Sequence, residues 1–319
     1  MRILITGAAG FLGQQLPADL AVQQPNCTLC AAHIRATPAN LLRSNVQPLH
    51  LDISLKAAVF KTVLECQPQA IVHLASVVSP PPGMSEATLH AIDVDGTRAI
   101  IEAAAANGVE QLIITSSGAA YGYYPENAEW IDEDDPLRGH NKFAYAKHKR
   151  EVEEVLVRAR IAHPQLRQLI LRPGTILGKR VNNQITDMFK KRAVLGIQGS
   201  DSRFVFIWDQ DVVSIIRKGL EKGASGIYNL AGDGALSLRE IAQILRKPYR
   251  PLPAGLIQGV LRVLKPLRLS QYGPEQVDFL RYRPVLANRR LKEEFGYTPR
   301  YTSREAFIAF LDAQGVPHA

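Results

Sequence analysis

Cysteine is scarce: the 319 residues hold three, Cys27, Cys30 and Cys66. A small, odd set suits a reducing compartment and argues against a disulfide-framed secreted scaffold. Cys27 and Cys30 have the spacing of a metal or redox pair, but no second pair accompanies them and Cys30 falls inside a predicted strand, so no metal site is expected. Long apolar runs are missing too. No stretch of about 18 apolar residues without charge occurs, so no membrane-spanning helix is expected. Lysine and arginine form no long run, so the net charge of +8 does not read as a nucleic-acid surface; most of it reads as solvated basic surface, and the excess favours an anionic ligand such as a phosphorylated cofactor. The chain opens directly in an apolar run rather than a leader-like segment, and a cytoplasmic protein is expected. What is present is a 46% hydrophobic composition, enough to bury a large core.

The first sixteen residues organise the rest. Ile3, Leu4 and Ile5 predict a short buried parallel strand. Gly7, Gly10 and Gly13 follow, and a helix is predicted to begin near Phe11 and Leu12. Glycine serves a sharp strand-to-helix turn and the close approach of a ligand, while the helix start aims N–H groups and a positive dipole end at the gap. In this context a three-glycine spacing reads as a dinucleotide pyrophosphate site, with Gly13 letting helix and strand pack closely.

Next, a helix is predicted over 14–22, kinked at Pro17, and a strand over 28–34. The end of that strand is where an adenosine ribose is read. An acidic residue there would favour NAD, but the chain offers Ala32, His33, Ile34 and Arg35. An arginine fits a 2′-phosphate, so the cofactor is read as NAD or NADP with a lean to NADP; a plain surface arginine is the competing reading. A strand over 46–53 ends in Leu51, Asp52 and Ile53. Asp52 either accepts from the adenine amino group, with Ile53 on the ring, or caps the following helix. Further buried strands end at Leu74 and Ala75, which let a cofactor close, and at Thr115, ahead of Ser116 and Ser117. An alanine-rich amphipathic helix over 91–106 lies between them. This alternation predicts an α/β fold with a doubly wound parallel sheet and ligands beyond the carboxyl ends of its strands.

Tyr145 and Lys149 stand four residues apart on a helix predicted to reach about Arg160, so they share a face. Tyrosine is a poor acid–base group at its usual pKa of about 10, and a cation one turn away favours the phenolate. Lys149 supplies that cation and can also hold a ribose hydroxyl. Ser117 can hydrogen-bond and orient a substrate oxygen. With the glycine turn, the three make a proton donor–acceptor beside a hydride carrier. Lys147 and His148 fall on other faces and are expected at the surface.

Taken in order, these motifs resemble the extended short-chain dehydrogenase/reductase family, which includes nucleoside-diphosphate-sugar epimerases and dehydratases. The matches include the glycine turn, Leu51-Asp52-Ile53, Val72 to Ala75, Asp93 to Thr97, Thr115 to Gly122, Tyr145 to Lys149, and Leu171 to Gly178. The resemblance implies an NAD(P)-dependent enzyme that moves a hydride at a secondary alcohol or ketone, with Ser117, Tyr145 and Lys149 as catalytic residues and Tyr145 as acid/base. It implies that Thr115, Arg172 and Pro173 lie at the cofactor, that Thr175 and Arg203 serve the substrate, and that the helices over 91–106 and 143–160 pair in a homodimer. It also implies a Rossmann-type domain over 1–172, with a returning segment at about 205–232, and a smaller, mostly C-terminal α/β substrate-binding part over 173–319.

Departures narrow the subclass. Sugar 4,6-dehydratases typically carry two acidic residues after the serine; here stand Gly118 and Ala119, which argues against elimination chemistry. Asp93 stands where the family often has asparagine, which puts a structural hydrogen bond in question. Thr175 replaces an asparagine common near the diphosphate, and the run Phe206-Ile207-Trp208 lacks a histidine common there. A sugar-nucleotide epimerase is therefore read beside an NADP-dependent dehydrogenase or reductase of a steroid- or isoprenoid-like alcohol. A third reading, a cofactor-sensing regulator, sits poorly with an intact Tyr–Lys pair.

In the second half, 185–194 reads as a basic helix, 203–211 as a strand leading to an aspartate at a helix start, and Ser237 with Glu240 as a capping box. The stretch 254–269 is the least typical: Leu256, Ile257, Val260, Leu261, Leu264 and Leu267 recur at helical spacing with Arg262, Lys265 and Arg268 interleaved. It reads as a packing face, a lid or a helix on a membrane surface.

Overall fold

The computed structural model describes residues 1–35, 43–81, 83–139, 141–267 and 273–318. The run predicted from Ile3 to Ile5 is the middle of β1 (Arg2–Thr6), and strands and helices alternate from there. α1 (Leu16–Gln23), β2 (Thr28–His33), β3 (Val46–His50), α2 (Lys56–Cys66) and β4 (Ala70–His73) follow. α3 (Glu86–His90), a π-helical turn over Ala91–Asp95 and α4 (Gly96–Ala106) run on without a break to β5 (Gln111–Thr115). A 3₁₀ turn, Gly118–Tyr121, precedes α5 (Ala144–Ala162) and β6 (Arg167–Pro173). Then come β7 (Thr175–Leu177), α6 (Gln184–Lys190), β8 (Val194–Ile197), β9 (Arg203–Phe204), β10 (Phe206–Trp208), α7 (Asp209–Lys222) and β11 (Gly226–Leu230). The chain closes with β12 (Leu236–Ser237), α8 (Leu238–Ile244), β13 (Tyr249–Leu252), α9 (Ala254–Leu264), α10 (Gln276–Arg281), α11 (Arg289–Glu293) and α12 (Ser303–Ala313).

These elements form two units, each stitched from separate segments. The first holds Met1–Ser117, His148–Arg172 and Asp209–Tyr228. Its sheet has the order β11-β6-β5-β4-β1-β2-β3, with parallel pairing from β6 through β3. The order reverses between β1 and β4, and in open α/β sheets ligands bind beyond the strand ends at such a reversal. Leu4, Ile71, Leu112 and Ile114 of the strands are covered by Val59 and Val63 of α2, Ile100, Ala103 and Ala104 of α4, and Val152 and Leu156 of α5. Small alanines on α4 let it lie close against α2 and the sheet, which is why this helix is alanine-rich.

The second unit holds Gly118–Lys147, Pro173–Trp208 and Asn229–Ala319. Its core is aromatic: Phe189, Phe204, Phe206, Phe307 and Phe310 are in ring contact at 5.0–6.5 Å. Short ladders, β7 with β10, β9 with β12 and β8 with β13, frame it. The Ser237 capping box forms, its hydroxyl accepting from the Glu240 N–H while Glu240 reaches back to the Ser237 N–H.

Several local expectations are corrected. α1 starts at Leu16, so Pro17 sits in the first turn, where no N–H is needed and a proline requires no kink. β3 stops at His50, and α2 follows Leu55, which makes no side-chain cap. Cys30, in the middle of β2, is disulfide-bonded to Cys66 at the end of α2, and Cys27 alone is a free thiol. The predicted helix over 254–269 ends at Leu264; positions 268 and 269 lie outside the described residues. Among the described residues, no helix is long and apolar enough to cross a membrane.

Candidate active site

β1 runs into Gly7, whose φ of +71° is a left-handed conformation; a Cβ there would come within 2.6 Å of the Ala75 nitrogen. Gly10 donates its N–H to the Gly7 carbonyl at 2.8 Å. A Cβ on Gly13 would overlap that carbonyl oxygen and press to 2.8 Å of the Ala8 Cα, so the turn folds back on itself only with glycine at 13. Among the described residues, the N–H groups of Phe11, Leu12 and Gly13 make no backbone hydrogen bond, which leaves them for an anion. Arg35 reaches along the same turn and donates through Nη2 to the Ala9 carbonyl at 3.2 Å. Asp52 Oδ1 accepts from the Ser54 N–H at 2.9 Å and the Ser54 hydroxyl at 2.7 Å, so this carboxylate closes its own turn rather than capping α2.

His73, at the end of β4, is fully enclosed. Thr97 Oγ1 donates to the Asp93 carbonyl at 2.6 Å, so it accepts from His73 Nε2 at 3.0 Å, and Nδ1 then accepts from the Thr6 hydroxyl at 2.7 Å. This fixes a neutral imidazole; burial, with the charge of Lys149 next, pushes its pKa down to about 3. Asp93 Oδ1 accepts from the Val77 N–H at 3.0 Å. Burial alone would raise the Asp93 carboxyl, but the nearby His148 ring, followed by Lys149, the Val77 N–H and Ser76, holds it below the ordinary range.

His148 corrects a sequence expectation. It is 1% exposed, with Nδ1 at 3.7 Å from Asp93 Oδ2 and its ring edge-on to His90 at 5.4 Å. The π-helical turn adds a residue to the α3–α4 run and so turns Asp93 toward α5, which a regular helical wheel does not foresee. Next to it, Lys149 donates through Nζ to the Thr115 carbonyl at 3.1 Å. Burial lowers its pKa, and Asp93 and Glu153 pull it back up. Tyr145 stands one turn earlier on α5 and is half-buried.

The loop after β5 is braced from below. Ser116 donates its N–H to the Leu171 carbonyl at 2.7 Å and its hydroxyl to Glu153 Oε1 at 2.6 Å. Arg172 grips the same carboxylate with Nε at 2.8 Å and Nη2 at 2.6 Å. Arg172, read from the sequence as a cofactor residue, is thus engaged by Glu153 in a buried two-pronged pair. Ser117 follows directly and is buried.

In the second unit, Thr175 is held by its N–H on the Val205 carbonyl at 3.1 Å, and its Oγ1 accepts from Arg283 Nη2 at 3.2 Å. The Arg283 guanidinium lies 4.1 Å from the centroid of Phe204 and 4.5 Å from that of Phe279. Tyr123 packs on Phe279 and on Phe143, each at 5.1 Å. Arg283 Nε and Nη1 are shut off from solvent and, among the described residues, have no hydrogen-bond partner. Burial pulls its pKa down to about 10 and pushes that of Tyr123 up to about 12. Arg203, read from the sequence as the substrate arginine, is instead paired with Glu129 at 2.9 Å and Asp201 at 3.2 Å on a half-exposed surface. The sequence reading passed over Arg283, because its burial comes from Phe204 and Phe279, far away or in another element; a lone arginine before Pro284 was the sole local sign.

The model of the NAD dependent epimerase/dehydratase family matches residues 3–231. The N-acetyl-α-D-glucosaminyl-diphospho-ditrans,octacis-undecaprenol 4-epimerase of Escherichia coli O157:H7 is 30% identical over 184 residues, 53% of this chain and 54% of that protein. An uncharacterised protein of Mycobacterium tuberculosis H37Rv is 24% identical over 98% of this chain and 84% of its own length. Among solved structures, the Bordetella bronchiseptica enzyme WbmG in complex with NAD superposes with a TM-score of 0.76 at 19% identity, covering 99% of this chain and 94% of that one. The Thermus thermophilus UDP-glucose 4-epimerase in complex with NAD gives 0.75 at 23% identity, covering 99% and 100%. These superpositions establish a shared fold.

Proposed function

The chain belongs to the NAD-dependent epimerase/dehydratase family, and from that premise we propose that it oxidises and re-reduces a sugar carbon whose sugar hangs on a diphosphate, as a nucleotide-sugar epimerase does. The observation that carries this reading is Arg283: a buried cation with two donors unpartnered is costly to hold unless an anion completes it. Thr175 beside it adds a hydroxyl to the same anion site.

The first unit fits a dinucleotide. Gly7, Gly10 and Gly13 bring backbone close, Phe11, Leu12 and Gly13 offer N–H groups, and Leu74, Ala75 and Thr115 line the neighbouring strand ends. NAD, when bound there, supplies the hydride acceptor and donor. In this reading Tyr145 takes the proton of the reacting hydroxyl and returns it to the carbonyl oxygen. Lys149 favours the phenolate, held in place by the Thr115 carbonyl, and Ser117 orients the substrate oxygen. We assign the dinucleotide to the first unit and the diphosphate to the second, and expect a cytoplasmic homodimer through α4 and α5.

The test is to denature the purified protein, identify any released nucleotide, and then assay C4 epimerisation of UDP-glucose. Retained NAD and an activity reduced about 10²–10⁴-fold in Tyr145→Phe support the reading. An empty protein that prefers NADPH and turns over no diphosphate sugar would overturn it. That outcome would favour the second reading, an NADP-dependent reductase of a lipophilic ketone, which the lie of Arg35 along the glycine turn supports.

A further inference from the structure

α9 has two apolar stripes, and folding uses one. Ile257, Leu261 and Leu264 face inward and are half-buried, and α9 packs on α10. Leu256, Val260 and Val263 recur at steps of four and three along an adjacent face, with Leu267 just past the helix end, all 48–61% exposed. Gly255 and Gly259 lie on the exposed side too, with open space where a Cβ would be. No residue of α9 is buried. Four large side chains in water along one stripe are unusual for a solvated helix face.

Charge selects the occupant. Between Glu240 and Glu275 the sequence has no acidic residue and six basic ones, Arg246, Lys247, Arg250, Arg262, Lys265 and Arg268. Lys247 is turned to the Phe189 carbonyl and Lys265 pairs with Glu275 at 2.7 Å, while Arg246, Arg250 and Arg262 stand exposed. Area argues against a second protein chain: an 11-residue helix is about 16 Å long, and one stripe of it falls far short of the roughly 800 Å² that each partner in a stable dimer contributes. An apolar stripe on a segment that carries cations and no acid of its own, with Glu275 at the start of the packed α10 already paired to Lys265 and Asp278 the other acid there, instead matches a negatively charged lipid surface, which accepts apolar side chains at the headgroup boundary and attracts cations.

We propose that α9 docks the protein reversibly on an anionic membrane surface, Leu256, Val260, Val263 and Leu267 entering the headgroup boundary and Arg246, Arg250 and Arg262 meeting lipid phosphates. The inference concerns α9 alone and does not depend on the reaction assigned above.

The test is co-sedimentation of the full chain with vesicles of phosphatidylcholine containing about one third phosphatidylglycerol, beside vesicles of phosphatidylcholine alone. The expected result is binding to the anionic vesicles that weakens as salt rises, little binding to the neutral ones, and at least a roughly tenfold loss in Val260→Asp/Val263→Asp. Melting temperature and NAD affinity of that variant, both exposed sites far from the glycine turn in sequence, are expected to match the parent chain. A chain that stays in solution with both vesicles overturns the proposal, as does equal sedimentation of parent and variant. So does a parent dimer in analytical ultracentrifugation that the variant dissolves without lipid, since a second copy would then be what covers the stripe.

Discussion

Two buried arginines, one in each unit, are held in opposite ways. In the first unit, Arg172 and the Ser116 hydroxyl close on Glu153, the Val77 N–H meets Asp93, and Thr6 and Thr97 close on His73. In the second, Arg283 keeps, among the described residues, one hydrogen bond, to Thr175, and two nitrogens without partners. A closed network holds a shape; an open one holds a place for a missing partner. The contrast separates an arginine closed into the frame from one left open, though both are buried.

The largest effect should come from opening the closed network. Glu153→Gln leaves Arg172 buried without its counter-charge and should cost about 3–5 kcal/mol, read as a fall in denaturation midpoint. Next comes Arg283→Met, which fills similar space without charge. Stability should hold or rise, while affinity for a uridine diphosphate should fall roughly 10- to 150-fold in calorimetric titration, the loss of about 1.5–3 kcal/mol from charged hydrogen bonds. A stability loss as large as that of Glu153→Gln would erase the contrast.

The units also differ in pH response. Below about pH 6.5 an unfolded His73 takes up a proton that the folded ring refuses until about pH 3. Its stabilisation is therefore complete above pH 6.5 and declines on acidification by about 1.4 kcal/mol per pH unit, reaching roughly 2 kcal/mol at pH 5. Glu133 of the second unit has the opposite sign. Burial and a hydrogen bond with Asp132 push its pKa up to about 7, so the folded state keeps a proton that the unfolded one releases above about 4.5, and stability falls as pH rises between these values. Urea unfolding of His73→Asn and Glu133→Gln at pH 5 and 7 should flatten the acid limb and the neutral limb respectively. The smallest effects belong to exposed pairs: Arg217→Ala, facing Asp19 in the first unit, and Lys292→Ala, facing Asp233 in the second, should each cost less than about 1 kcal/mol. Equal small losses there would confine the difference to buried charge.

The frame was legible because its signals are local. An apolar run ending in glycines, a tyrosine and lysine one turn apart, and a serine with glutamate three residues on each depend on neighbours in sequence, and β1 with its glycine turn, α5 and the start of α8 are where those signals put them. What stayed illegible depends on three dimensions. The π-helical turn at Ala91–Asp95 has no pattern of its own, so the burial of His148 could not be read from a helical wheel. Arg203 and Arg283 look alike in sequence; their difference lies in which finds carboxylates and which finds aromatic rings. The pairing of Cys30 with Cys66 follows from β2 and the end of α2 coming together across a separation of 36 residues.

The order of segments in the first unit has a consequence for synthesis. α7 and β11 leave the ribosome only after the second unit's run from Pro173 to Trp208, yet they are hooked to the earliest parts: Arg217 of α7 to Asp19 of α1 at 3.1 Å, and the Gln111 amide of β5 to the carbonyls of Gly219 and Ala224 at 3.0 and 2.8 Å. At 5–20 residues per second, the chain takes roughly 3–10 s to extend from Arg172 to Tyr228. Throughout that interval the nascent sheet ends at β6 with its outer edge unpaired, a bare template for strand addition by a neighbouring nascent chain. Crowded polysomes are therefore where this fold is most exposed to aggregation, and slowing elongation beyond Arg172 should lengthen that window.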